Sequence, residues 1–100
     1  MTKLPRLAAL AVVLREDKLL LVRRKNEPNA GHWGFPGGHV DFGESVGSAA
    51  CHELFEETTI NAEPGRFLMG LDTIIPHKDG TTAYHFYMVA VECIYTSGER

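Results

Sequence analysis

Residues 38–60 read GHVDFGESVGSAACHELFEETTI, and the fold is decided here because the hydrophobic period changes inside the stretch. Val46, Ala49, Ala50 and Leu54 recur at three- and four-residue steps, the spacing of one helical stripe. Ser45 can cap the start and nothing breaks the pattern before Thr58, which predicts a helix over 44–58. The same helix carries Glu53, Glu56 and Glu57, with Glu44 at its mouth. With Glu53 at zero, Glu57 falls near about +40° and Glu56 near about −60°, at roughly 100° per residue. Three carboxylates therefore share one stripe. Like charges at this spacing destabilise a helix by about a few tenths of a kcal/mol per pair. One reading is a solvated acidic face. The other is a divalent-cation site, where repulsion becomes coordination and magnesium finds hard oxygen ligands. The second gains from its surroundings. Ala49 and Ala50, one turn earlier, are small enough for the Gly37-Gly38 segment to come close, and that segment leads Glu44 towards the stripe.

On the N-terminal side, Leu7 to Leu14 is a continuous apolar run, Arg15 to Lys18 a charged turn, and Leu19 to Val22 a second run. This predicts a β-hairpin, central in a sheet because neither strand alternates cleanly. Asn26, Pro28, Asn29 and Gly31 form a loop, and Trp33 to Gly38 joins aromatic bulk to backbone freedom. On the C-terminal side, Glu63-Pro64-Gly65 reads as a turn, Leu68 to Ile75 as a strand, Pro76 to Gly80 as a connection, and Thr81 to Tyr95 as a long β-run. Thr96 to Arg100 has the composition of a turn in mid-fold. The order is β-β-(β)-α-β-β, an α+β class in one domain over residues 1–100, without repeats or linkers.

Composition narrows the function classes. A net charge of −3 over 100 residues gives no footprint for nucleic-acid polymers or anionic membranes. Cys51 and Cys93 are too few for a disulfide framework and read as free thiols, one on the helix and one in a strand. Lys3 to Leu14 imitates a signal peptide faintly, but the apolar run is short and meets Arg15-Glu16-Asp17-Lys18 at once, so it reads as a strand. No stretch is long enough to span a bilayer. A soluble, cytoplasmic protein is expected.

The segment from Gly38 to Ile60 resembles the Nudix box, G-x5-E-x7-R-E-U-x-E-E-x-G-U, with Gly38, Glu44, Glu53, Leu54, Glu56, Glu57 and Ile60 on the pattern. His52 stands where the family has arginine and Thr59 where it has glycine. A β-branched residue is disfavoured in a left-handed stop, so the helix is expected to end differently. The resemblance implies a Nudix-type α/β/α sandwich with a mixed β-sheet. Family domains run some tens of residues longer, so this chain is expected to lack its C-terminal part, with a loop beyond Arg100 as one expected source of the general base. The implied activity is magnesium-dependent hydrolysis of the pyrophosphate bond in a nucleoside diphosphate linked to another moiety, ADP-ribose first, with manganese as the alternative ion. Catalytic roles fall to Glu53, Glu56 and Glu57, Glu53 having water activation as an alternative, and the metal site to the same three with Glu44 in support and Gly38. A triphosphate pyrophosphohydrolase of the pool-cleaning type, or a non-catalytic nucleotide sensor, are the other readings. A small-molecule nucleotide is the expected partner, and a homodimer stays open.

Substrate contacts are drawn from Arg23, Arg24, Trp33, Phe35 and Pro76. Adjacent strand residues point to opposite faces, so at most one of the two arginines is expected at the site, its fork suited to phosphate, the other reading being a solvent-facing strand end. Trp33 and Phe35 could stack on a base or fill the core. Pro76, sixteen residues beyond Ile60, is either a marker of the ADP-ribose pyrophosphatase branch or a turn proline. His39 and His85 read as a loop hydrogen-bonder and a strand residue.

Overall fold

The computed structural model describes residues 3–25 and 30–99. Asn26, Pro28 and Asn29 of the expected loop, and Arg100 of the expected final turn, lie outside the described residues. In chain order the elements are β1 (Arg6–Val12), β2 (Leu14–Arg15), β3 (Lys18–Leu19), β4 (Val22–Arg23), β5 (Trp33–Gly34), β6 (Gly37–His39), α1 (Val46–Thr58), β7 (Asn61–Pro76) and β8 (Thr82–Ser97). A four-stranded sheet has the order β6-β1-β8-β7. Strand β1 is antiparallel to β6 and parallel to β8, and β7 is antiparallel to β8. The sheet is mixed, as expected, and the helix lies on one of its faces.

Packing follows from residue size. Ala9 and Ala11 of β1, with Val89 and Val91 of β8, meet Ala49, Ala50 and Leu54 of α1 in the core. Alanines on both surfaces let the helix lie close to β1, and they are fully buried or nearly so. Side chains alternate across a strand, so Ala8 and Leu10 of β1 face the other way. Met88 and Phe86 of β8 share that second face through the registers Ala8↔Met88 and Arg6↔Phe86.

Three local expectations are corrected. The hairpin is not central: β2 and β3 pair over only two residues each, and Val22–Arg23 leaves to pair with β5. Both edges of β1 are already taken by β6 and β8, so the second apolar run has no place beside it. Glu63-Pro64-Gly65 is not a turn but part of β7, with a register slip between Pro64 and Phe67. Proline is tolerated because β7 is an edge strand, where a missing N–H breaks no ladder on the open side. The Arg66 N–H leaves the ladder for the Glu92 carboxylate at 3.2 Å.

The helix end is the third. Ser45 caps the start, its hydroxyl accepting from the Ser48 N–H at 3.1 Å. Thr59 nonetheless takes the left-handed stop that was expected to be avoided, at φ 63°, and its N–H donates to the Phe55 carbonyl at 2.8 Å. Its hydroxyl lies 3.0 Å from the Glu99 carbonyl, a tertiary contact that glycine could not make.

Candidate active site

The acids gather at the outer edge of β6, where the strand has no further neighbour in the sheet order. Here the Gly37 N–H donates to Glu57 Oε2 at 3.1 Å. One residue on, a methyl at Gly38 would sit 2.5 Å from the Glu53 carboxyl carbon, so glycine is what lets β6 approach the helix acids. Glu44 Oε1 accepts from the Asp41 N–H at 3.2 Å, which folds the loop mouth back onto the helix. His52 bridges the remaining pair: Nε2 is 3.0 Å from Glu56 Oε1 and Nδ1 is 3.6 Å from Glu44 Oε2. Its shorter contact is thus to Glu56, one turn on.

Burial and the charges of Glu56 and Glu57 push the Glu53 carboxyl above its ordinary value; His52 opposes this and Glu44 adds to it. Among the described residues no three His, Cys, Asp or Glu side chains are arranged to hold a metal ion as they stand. Glu57, Glu56 and Glu44 are each turned to a protein donor instead. The donor chemistry fits a hard divalent cation: oxygen ligands crowded until one of them resists ionisation.

A raised carboxyl pKa in the folded state favours folding in acid and costs stability as pH rises through it. Glu53→Gln should therefore raise the melting temperature of metal-free protein at neutral pH. The advantage should disappear as pH falls below the ordinary glutamate range, about 4.3. Melting curves across pH check this, and an advantage that grew towards acid would contradict the origin assigned to the shift.

A groove of about 940 Å³ runs from these acids onto the second face of the sheet. Arg23, Arg24, Trp33 and Phe35 line it with Lys25 and His32, so both arginines reach the groove where at most one was expected. Strand β4 ends at Arg23, and the Arg24 N–H still donates to the His32 carbonyl at 2.8 Å, so the backbone pairing runs on past the strand. Arg23 Nε also donates to the Gly31 carbonyl at 3.0 Å. Trp33 is exposed and Phe35 half-buried, which removes the core reading of Trp33. Pro76 ends β7, exposed, and the lining stops at Ile75.

The sequence reading missed the groove floor, made by Phe86, Met88, Thr73 and Ile75 with Ala8 and Leu10. The two-residue spacing of Phe86 and Met88 signalled a shared face, but not which face was covered. His39 stacks on Phe86 with ring centroids 5.9 Å apart. The ring meets it above Ala8, which is opposite His39 in the ladder and too small to intervene. Burial first, then Arg6, holds the His39 pKa below its ordinary value against Asp41. Cys51 and Cys93 are free thiols, Sγ to Sγ 3.7 Å, away from the groove lining, and burial pushes Cys93 up to about 12.

A mixed sheet with an acid-bearing helix laid against a glycine edge strand is the arrangement expected of the resemblance. The NUDIX domain model matches residues 4–99, and the chain belongs to the Nudix family. It is 33% identical over 95 residues to the Bacillus subtilis protein YjhB, covering 95% of this chain and 44% of that relative. Among solved structures, a MutT Nudix hydrolase from Burkholderia pseudomallei superposes with TM-score 0.83 at 32% identity, covering 98% of this chain and 74% of that one. An ADP-ribose pyrophosphatase from Streptococcus suis gives TM-score 0.70 at 30% identity, covering 96% and 64%. No described helix is long and apolar enough to cross a membrane.

Proposed function

We propose that this chain hydrolyses the pyrophosphate bond of a nucleoside diphosphate linked to a second moiety, ADP-ribose or a similar nucleotide sugar. One observation carries the reading: a single groove joins four glutamates at one end to Arg23, Arg24 and Lys25 along its wall. An anionic diphosphate between two non-phosphate groups matches that distribution of charge. The name of the Streptococcus suis neighbour, an ADP-ribose pyrophosphatase, supports the same substrate class.

Glu53, Glu56 and Glu57, with Glu44 in support, would hold magnesium or manganese. When bound, the ion neutralises phosphate charge and lowers the pKa of an attacking water. The chain's own residues do the rest. Gly37 orients Glu57 through its N–H. Guanidinium groups of Arg23 and Arg24 grip phosphate oxygens, which their fork geometry suits. Glu53, with its raised pKa, is the carboxylate best placed to accept a proton from water. Water adds across one P–O bond of the bridge, leaving a nucleoside monophosphate and a phosphorylated sugar. A panel of nucleotide sugars and triphosphates in magnesium, with products resolved by chromatography, tests the reading. AMP and ribose 5-phosphate from ADP-ribose are expected. Monophosphate with inorganic pyrophosphate from a triphosphate alone would favour the pool-cleaning reading, and binding without turnover the sensor.

The contacts of His52 lead to a further expectation. A guanidinium offers paired parallel donors, whereas an imidazole offers one hydrogen bond per nitrogen. His52→Arg should match or exceed wild-type kcat/KM. His52→Ala should lose about tenfold, the scale of one charge-assisted hydrogen bond partly open to solvent. Should His52→Ala be silent and His52→Arg damaging, the histidine only packs.

A further inference from the structure

We propose that the outer edge of β7 pairs antiparallel with the same edge of a second copy of this chain, joining the two sheets into one. The inference does not depend on the activity. Strand β7 is the last in the order β6-β1-β8-β7, so its outer backbone has no strand partner among the described residues. Natural edges are blunted by charge, proline and bulges, which on β7 are gathered before Met69 and at Pro76 and leave the stretch between them open. From Phe67 to Pro76 the one charged residue is Asp72, already held by His85 Nε2 at 3.1 Å. Phe67, Met69, Leu71 and Ile74 are between 40% and 64% exposed along the same edge.

The register follows from geometry and charge. Slips on either side of Phe67 disturb the strand before Met69, whereas Met69 to Ile75 pairs with Ala90 to Tyr84 without interruption. A slip twists a strand and spoils it as a template, so pairing is confined to the regular part. A twofold centred on Asp72 would set two carboxylates opposite each other, which is destabilising. A twofold centred on Leu71 sets leucine against leucine, Met69 against Thr73, and Asp72 against the glycine at position 70. That last pairing has a built complement. The Tyr87 hydroxyl lies over Gly70, on the face where Asp72 of the second copy would arrive, and is placed to donate to it.

One strand pair with a few half-exposed apolar side chains on each copy lies near the lower limit for specific interfaces, about 1,200 Å² in total. Association in the micromolar range is expected. Because Thr73 and Ile75 of β7 floor the groove, the second copy would stand at its far margin.

Sedimentation velocity from about 1 to about 300 µM spans that range. The wild-type mass should double across it, and Leu71→Lys should stay at the monomer mass. Since a lysine could also disturb folding, Leu71→Cys supplies a second measurement. Mild oxidation should link it into a disulfide dimer, because Leu71 meets its own copy on the axis, while Ile94→Cys on β8 should not link. A wild-type mass that stays monomeric throughout overturns the proposal. So does a dimer that survives Leu71→Lys while Leu71→Cys fails to link.

Discussion

Glu57→Gln is expected to lower kcat by about a hundredfold or more while leaving the fold unchanged, the scale seen when one charge-stabilising group is removed. The fold should persist because the amide oxygen of glutamine can still accept from the Gly37 N–H, the contact Glu57 makes at 3.1 Å. Shape and hydrogen bond survive. What is lost is a negative charge on a hard ligand, which a neutral amide does not replace on magnesium. Circular dichroism, a melting curve and manganese titration calorimetry should accompany the turnover assay. A normally folded variant with wild-type rate and metal affinity would remove Glu57 from the site.

The largest stability effect is expected at the neighbouring glycine. At Gly37 an added methyl would fall on the Ala9 carbonyl oxygen and lie 2.9 Å from Leu10 Cδ2. The carbonyl is backbone within the β1–β6 ladder and cannot move without breaking the sheet. Gly37→Ala should cost about 3 kcal/mol or more, an overpacking effect at the severe end. Gly38→Ala meets an obstacle of another kind, the Glu53 carboxyl at 2.5 to 2.9 Å. That is the far end of a flexible side chain and can swing away. Gly38→Ala should fold nearly as well as wild type but lose activity, because Glu53 is displaced from its fellows. Urea unfolding of both variants separates the cases, and equal stabilities would refute the distinction.

Two adjacent glycines thus serve different ends, and composition alone cannot tell them apart. Much of the rest could be read beforehand. Val46, Ala49, Ala50 and Leu54 carry a helical period whatever surrounds them, and the same 3.6-residue geometry places Glu53, Glu56 and Glu57 on one face. Local rules settle local structure, and the observed helix from Val46 to Thr58 begins at the predicted Ser45 cap. Thr59 shows where such rules stop. Its left-handed conformation is unfavourable in isolation, and it is seen with a hydroxyl contact to Glu99, forty residues away. Pro64 makes the same point, since a turn signal becomes an irregular strand once an edge position removes the need for its N–H.

From its residues alone, the chain determined the acid-bearing helix, the family, and the glutamates and arginines worth testing. Each depends on spacing within one short segment. Only the tertiary structure decided that β1 lies between β6 and β8, that Gly37 holds Glu57, that His52 reaches Glu56 more closely than Glu44, and that Phe86 and Met88 floor the groove. Most of these are contacts between segments far apart in the chain. The parallel partner of Ala8 is Met88, and no hydrophobic period in either strand specifies which other strand it meets. That choice is made by the shared burial of alanines and valines beneath the helix, a property of the assembled sheet.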